Sequence, residues 1–153
     1  KVAKIAKAFE MNVLYHSVRK NNHNKLSGFL KKLDILSIHC PLTASTNNLI
    51  MSKELSLLKK TAIIINTARG GIVNEDDLVK AIKNGTISGA GIDVTTKEPP
   101  SKNHSYYSIL NHPNFIWTPH TAWASNETLQ EAINQLIDNV NSFYNGKLKN
   151  IVK

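Results

Sequence analysis

Apolar positions along the chain recur with two different periods, and the alternation between them lays out the elements. Val2, Ile5, Ala6 and Phe9 fall at helical spacing with Lys1, Lys4 and Lys7 opposite, which predicts an amphipathic helix over residues 1–9. It has neither an N-cap residue nor a strand before it, so the natural start of this element is expected upstream of Lys1. Residues 12–17 form a short apolar run of strand length, and residues 19–24 are polar and loop-like. Leu26, Phe29, Leu30 and Leu33 return to helical spacing, and residues 34–40 read as a strand stopped by Pro41. A small polar loop over 43–46 leads to a short helix over 52–58, with Ser52 expected as its N-cap.

The stretch 61–75 follows, an apolar run that delivers Arg69 to a double glycine and then opens a helix. Asn74 is a good N-cap, and Glu75, Asp76 and Asp77 put carboxylates in the first turn, where the helix dipole favours them. Leu78, Val79, Ala81 and Ile82 supply the buried face, and Gly85 stops the helix. Residues 87–94 are a further strand, whose small residues would let a helix or a ligand lie close, and residues 97–100, with Pro99 and Pro100, force an extended turn. After a polar stretch, residues 115–118 are a last strand ended by Pro119. From about Ser125 to Gly146 a long amphipathic helix carries Leu129, Ala132, Ile133, Leu136, Ile137 and Val140. Strands alternating with helices predict an α/β fold with a parallel sheet covered on both faces.

Composition narrows the function classes. The 153 residues suit one domain, 41% of them are hydrophobic, and no apolar stretch reaches transmembrane length. The net charge of +8 is spread over short pairs such as Lys31–Lys32 and Lys59–Lys60, with no long basic run, which argues against nucleic acid and suits an anionic cofactor or substrate equally with a lysine-rich background. One cysteine, Cys40, leaves no internal disulfide and fits a reducing compartment, so a cytoplasmic location without membrane attachment is expected. No base accompanies Cys40 in sequence, so it reads as a packing residue rather than a nucleophile. No metal site is expected.

Arg69, Glu98 and His120 each stand just beyond a predicted strand. Taken singly, Arg69 is compatible with a surface arginine, His120 with a structural histidine and Glu98 with a turn carboxylate. Open parallel sheets, however, bind ligands beyond the carboxyl ends of their strands. Together the three suit a 2-oxo acid: a guanidinium holds a carboxylate bidentately, and an imidazole backed by a carboxylate exchanges a proton with the adjacent oxygen.

Three segments carry a family resemblance: residues 66–75, the Gly91-Ile92-Asp93-Val94 run with Glu98-Pro99-Pro100, and residues 118–125. They resemble the cofactor-binding domain of the D-2-hydroxyacid dehydrogenases, and the similarity runs over nearly the whole chain. The Ala122-Trp123-Ala124-Ser125 ending looks most like the branch that interconverts D-glycerate and hydroxypyruvate. The resemblance implies an enzyme in which Arg69 clamps the substrate carboxylate, His120 is the acid/base and Glu98 holds His120. It implies NAD contacts at Ser17, Arg19, Cys40, Pro41, Thr67, Ala68, Arg69, Asp93, His120, Ala122 and Trp123, and a homodimer acting on a small 2-oxo or 2-hydroxy acid.

Several departures qualify that expectation. No Gly-x-Gly-x-x-Gly precedes the first helix, so the implied fold is a Rossmann-like doubly wound sheet truncated at its N-terminus, without its first strand and glycine-rich loop. Residues 1–124 would be the dinucleotide-binding domain. Residues 125–153 would be a helix and tail packing back toward a substrate domain outside this chain, and the fragment alone is expected to be inactive or nearly so. Ser17 stands where the family usually has an aspartate on the adenosine ribose, with Arg19 beside it, so NADP is an open alternative to NAD. Glu10 sits where a helix-ending glycine would be easier. Other readings on the same scaffold are D-3-phosphoglycerate dehydrogenase and an NADH-sensing corepressor-like protein. Glu98 argues against a formate dehydrogenase, where glutamine would be expected.

Overall fold

A computed structural model of the chain describes residues 1–18 and 23–152. Its order is α1 (Val2–Ala8), α2 (His23–Leu30), β1 (Ile35–Ile38), α3 (Ser52–Leu55), β2 (Ile63–Asn66), α4 (Glu75–Lys83), β3 (Gly89–Ile92), a 3₁₀ turn (Ser105–Ile109), β4 (Phe115–Trp117) and α5 (Asn126–Tyr144). The four strands are parallel and lie in the order β1-β2-β3-β4. Parallel neighbours require crossovers, and the helical patterns between the strands provide them. The chain divides into two compact units, Lys1–Trp117, which holds the sheet, and Thr118–Lys153.

Within the first unit the core is built from the residues whose periodicity predicted it. Ile64 of β2 and Leu78 of α4 are fully buried, as are Leu30 of α2 and Leu55 of α3. Each such aliphatic side chain contributes about 2 kcal/mol of transfer free energy. Asn74 caps α4 by accepting from the Asp77 amide at 3.0 Å, and Gly85 takes φ 64 just after the helix ends, both as the sequence predicts. Glu10 does adopt the left-handed backbone, at φ 59, which costs a residue with a side chain about 1 kcal/mol.

Two expectations are corrected. Residues 12–17 form no strand: Leu14 and Tyr15 are exposed, and His16 rests on Phe29 of α2 at 5.2 Å between rings. A strand exists only where a neighbour shares its ladder. Among the described residues no strand pairs with residues 12–17. Ser52 is the first residue of α3, and the N-cap is Met51. The Glu54 carboxylate reaches back to the Met51 amide at 3.2 Å, and the Ser52 amide donates to Asp77 of α4 at 2.9 Å, so Ser52 is drawn into the helix.

The small residues of β3 let neighbouring protein lie close: a Cβ on Gly89 would stand 2.2 Å from the Asn114 carbonyl oxygen. In the second unit Ser125 caps α5, accepting from the Thr128 amide at 3.2 Å. The Glu127 carboxyl is held below the usual range by a backbone hydrogen bond and then by Ser125. None of the α5 residues is buried. No helix among the described residues is long and apolar enough to cross a membrane.

Candidate functional site

The strand ends place most of the predicted residues. Asn66, the last residue of β2, is 2% exposed and organises the turn that follows. Its side-chain oxygen accepts from the Ala68 amide at 3.1 Å and its amide nitrogen donates to the Arg69 carbonyl at 3.0 Å. One buried side chain therefore satisfies both an orphan donor and an orphan acceptor at the strand end. The Asn66 carbonyl in turn accepts from the Asp93 amide at 2.9 Å, tying the β2 turn to the end of β3.

Arg69 stands three residues beyond β2 with its side chain exposed, Nη1 donating to the Ala68 carbonyl at 2.7 Å. Its main chain is thus fixed while its guanidinium faces solvent at the carboxyl end of a parallel strand. The glycines after it are required by packing. A Cβ on Gly70 would meet the Thr95 backbone at 2.0 Å, and Gly71 has φ 78. Behind them Asn48, itself left-handed at φ 50, donates its amide to the Gly71 carbonyl and accepts from Asn74 Nδ2 at 3.1 Å.

Glu98 lies on the loop after β3, and its Oε1 accepts from the Thr95 amide at 3.0 Å. The Glu98–Pro99 peptide is cis. Asp93 is buried directly beyond β3. Cys40 and Pro41 follow β1: the Cys40 thiol is packed against the core, burial pushes its pKa up despite a backbone hydrogen bond, and the Pro41 carbonyl accepts from the buried Thr46 hydroxyl at 2.7 Å. The thiol is therefore kept protonated, in line with a packing role. Thr67 is exposed, Ala68 packs partly on the core, and Ser17 is exposed. Arg19 lies outside the described residues.

His120, Ala122 and Trp123 belong to the second unit. His120 takes φ 55, an uncommon conformation for a residue with a side chain, and its carbonyl accepts from Trp123 Nε1 at 3.0 Å. Such strain is held in place by its surroundings and clusters at functional positions. Ala122 and Trp123 are exposed.

Sequence reasoning passed over a part-buried polar pair, Glu75 and His104. His104 Nε2 and Glu75 Oε2 are 2.9 Å apart, with side chains 10% and 17% exposed, and Glu75 Oε1 accepts from the Thr96 amide and hydroxyl. The helical pattern explained Glu75 as a dipole-favoured acid, and nothing local linked it to a histidine 29 positions away. No group of three or more His, Cys, Asp or Glu among the described residues could hold a metal ion.

The donor set at the strand ends fits the nicotinamide half of a dinucleotide: small residues at Thr67 and Ala68, and a buried carboxylate at Asp93, beyond the carboxyl ends of parallel strands. The glycine-rich phosphate cradle is not among the 153 residues.

Comparison with known proteins gives a consistent result. Residues 1–122 match the family model described as D-isomer specific 2-hydroxyacid dehydrogenase, NAD binding domain. The chain is 44% identical to a glycerate dehydrogenase of Methylorubrum extorquens, covering 99% of this chain and 48% of that protein. It is 40% identical to a glyoxylate reductase of Aeropyrum pernix, covering 97% and 46%. Among solved structures, a D-lactate dehydrogenase with NAD+ from Lactobacillus jensenii superposes with a TM-score of 0.86 at 28% identity, over 99% of this chain and 51% of that one. The chain spans about half the length of the curated relatives it matches.

Proposed function

Because the chain belongs to the D-isomer specific 2-hydroxyacid dehydrogenase family, whose NAD binding domain it matches over residues 1–122, we propose that the whole protein interconverts a D-2-hydroxy acid and its 2-oxo acid, with D-glycerate and hydroxypyruvate as the pair. The observation that carries this reading is Arg69: a main chain locked by buried Asn66 and an exposed guanidinium at the carboxyl end of β2. The 44% identity to a glycerate dehydrogenase supports the choice of acid.

In this reading the bound nicotinamide cofactor supplies or takes the hydride. Arg69 holds the substrate carboxylate through its planar fork and so fixes which face of the adjacent carbonyl is presented. His120, in its imidazolium form, donates a proton to the carbonyl oxygen on reduction and recovers it on oxidation as a neutral base. Glu98 supports the imidazolium charge. Thr67, Ala68, Cys40, Pro41, Asp93, Ala122 and Trp123 line the cofactor. The cofactor is NAD; Ser17 carries no charge to oppose a 2′-phosphate, which makes NADP the alternative. The protein works in the cytoplasm as a homodimer, and the apolar stripe of α5 packs toward the substrate domain.

The test is steady-state kinetics of the full-length protein with hydroxypyruvate, glyoxylate and phosphohydroxypyruvate. Fastest turnover of hydroxypyruvate is expected, and His120→Ala should lower kcat by about 10²–10⁴-fold. An unchanged rate in that variant ends the assignment. Tight NADH binding without turnover of any of the three acids would replace the enzyme by a nicotinamide sensor.

A further inference from the structure

The part-buried Glu75–His104 pair serves neither the cofactor nor the substrate in the reading above, yet Glu75 is bonded to Thr96, on the loop that also carries Glu98. Glu75 is the first residue of α4, where the helix dipole favours a carboxylate. Its Oε1 accepts two bonds from one residue, the Thr96 amide at 2.6 Å and the Thr96 hydroxyl at 2.9 Å. Its Oε2 is bonded to His104 Nε2 at 2.9 Å. His104 is fixed in turn: its ring stacks on Trp117 at 5.4 Å, and its Nδ1 accepts from the Tyr106 amide at 3.3 Å. Both carboxylate oxygens are therefore used, in a part-buried place where charge-assisted bonds are strong.

What these bonds hold is the Thr95–Thr96 segment. On one side the Thr95 backbone lies directly against Gly70, leaving no room for a Cβ there, and Gly70 follows Arg69. On the other side the Thr95 amide donates to Glu98 Oε1 at 3.0 Å, and the Thr95 hydroxyl closes the turn by donating to the Lys97 carbonyl at 2.9 Å. We propose that Glu75, braced by His104, is a positioning residue that sets Arg69 and Glu98 at a fixed separation through the Thr95–Thr96 segment. Glu75 touches neither reacting groups nor cofactor. This inference rests on the functional roles given to Arg69 and Glu98 above.

The experiment compares Glu75→Ala, Glu75→Gln and His104→Gln in the full-length protein by kinetics and by amide hydrogen exchange. Gln keeps an acceptor oxygen for the Thr96 amide and hydroxyl and loses only the bond from His104 Nε2, which then faces the Gln amide nitrogen, so Glu75→Gln should retain more turnover than Glu75→Ala. Glu75→Ala should lower kcat about tenfold or more, as misplaced catalytic groups do, and displace the pH limb of kcat/KM that reports the acid/base histidine. His104→Gln should fall between them. Exchange at the Thr95 and Thr96 amides should accelerate in Glu75→Ala while the β2 amides keep their protection, which separates local release from unfolding.

Unchanged kcat and pH profile in Glu75→Ala overturn the proposal, whether or not the Thr96 amide is released. A Glu75→Gln variant as impaired as Glu75→Ala also overturns it, because the Gln oxygen keeps both bonds to Thr96. Should Arg69 and His120 variants leave turnover intact, the reading of the site itself falls. Exchange at Thr96 then decides separately whether Glu75 holds the loop: protection retained in Glu75→Ala overturns that part as well.

Discussion

Gly70 lies so close to Thr95 that a Cβ at residue 70 would stand 2.0 Å from the Thr95 carbonyl carbon and 2.2 Å from its oxygen. The contact is backbone against backbone, so no side-chain rotation relieves it. Gly70→Ala is expected to destabilise the fold by about 3 kcal/mol, at the upper end for overpacking. Gly28, exposed on α2 with nothing within 4 Å of a Cβ, is the opposite case. Gly28→Ala should stabilise by about 0.5–1 kcal/mol through helix propensity. Denaturant titration of both variants checks the contrast, and equal effects would contradict the contact.

Asn66→Ala removes a side chain that serves the Ala68 amide and the Arg69 carbonyl at once from a site 2% exposed to solvent. Leaving those groups unmade should cost about 1–3 kcal/mol. In the full-length protein the same change should raise KM for the 2-oxo acid more than it lowers kcat, because Arg69 loses its fixed main chain. A stability loss with an unchanged KM would confine Asn66 to folding.

Arg69→Lys keeps the charge and loses the planar fork. A single ammonium cannot reproduce two parallel bonds to a carboxylate, so KM for hydroxypyruvate should rise by about tenfold or more. Thermal melting should be unaffected, since the side chain is exposed. Initial-rate kinetics across a substrate range measure it, and wild-type KM would remove Arg69 from the site.

Tyr106 gives a pH prediction with a definite sign. Its hydroxyl is pushed far above the ordinary value of 10.0, chiefly by burial and further by the Glu75 and Asp76 carboxylates. A raised pKa in the folded state means that the unfolded chain releases this proton first. Stability from this group is complete below about pH 10 and is lost as pH rises above it, with a limiting slope of about 1.4 kcal/mol per pH unit. Urea denaturation between pH 8 and about pH 11 should therefore show a steeper alkaline loss than Tyr106→Phe shows. Parallel curves for the two proteins would contradict it.

Local chemistry explains which parts of this were legible in sequence. The run to Asn66, the Asn74 cap and the acids after it are written in adjacent residues, and the structure forms β2 and α4 from them. Arg69 and Glu98 could be placed beyond strands because strand ends are marked by glycine and proline. The 3₁₀ turn over Ser105–Ile109 was hidden in a stretch that looked merely polar, although it buries Tyr106 and Ile109. Residues 12–17 show the converse. Their apolar pattern is genuine, but pairing depends on a neighbour, and no property of the segment itself reports whether one exists. Glu75 was read for its helix position alone, and its partners Thr96 and His104 come from loops 21 and 29 residues on.

The register of the sheet has a consequence for how such a protein can change. Ile38 pairs with Asn66, Asn66 with Ile92 and Ile92 with Trp117, so all four strands finish at one level. The loops that leave them begin from a common height on a rigid base, and each can be lengthened, shortened or exchanged without disturbing the ladder beneath. Whole loops can therefore be exchanged between relatives at these four residues. The grafts to avoid are those that carry Thr95 away from Gly70, because there one loop is the wall of another.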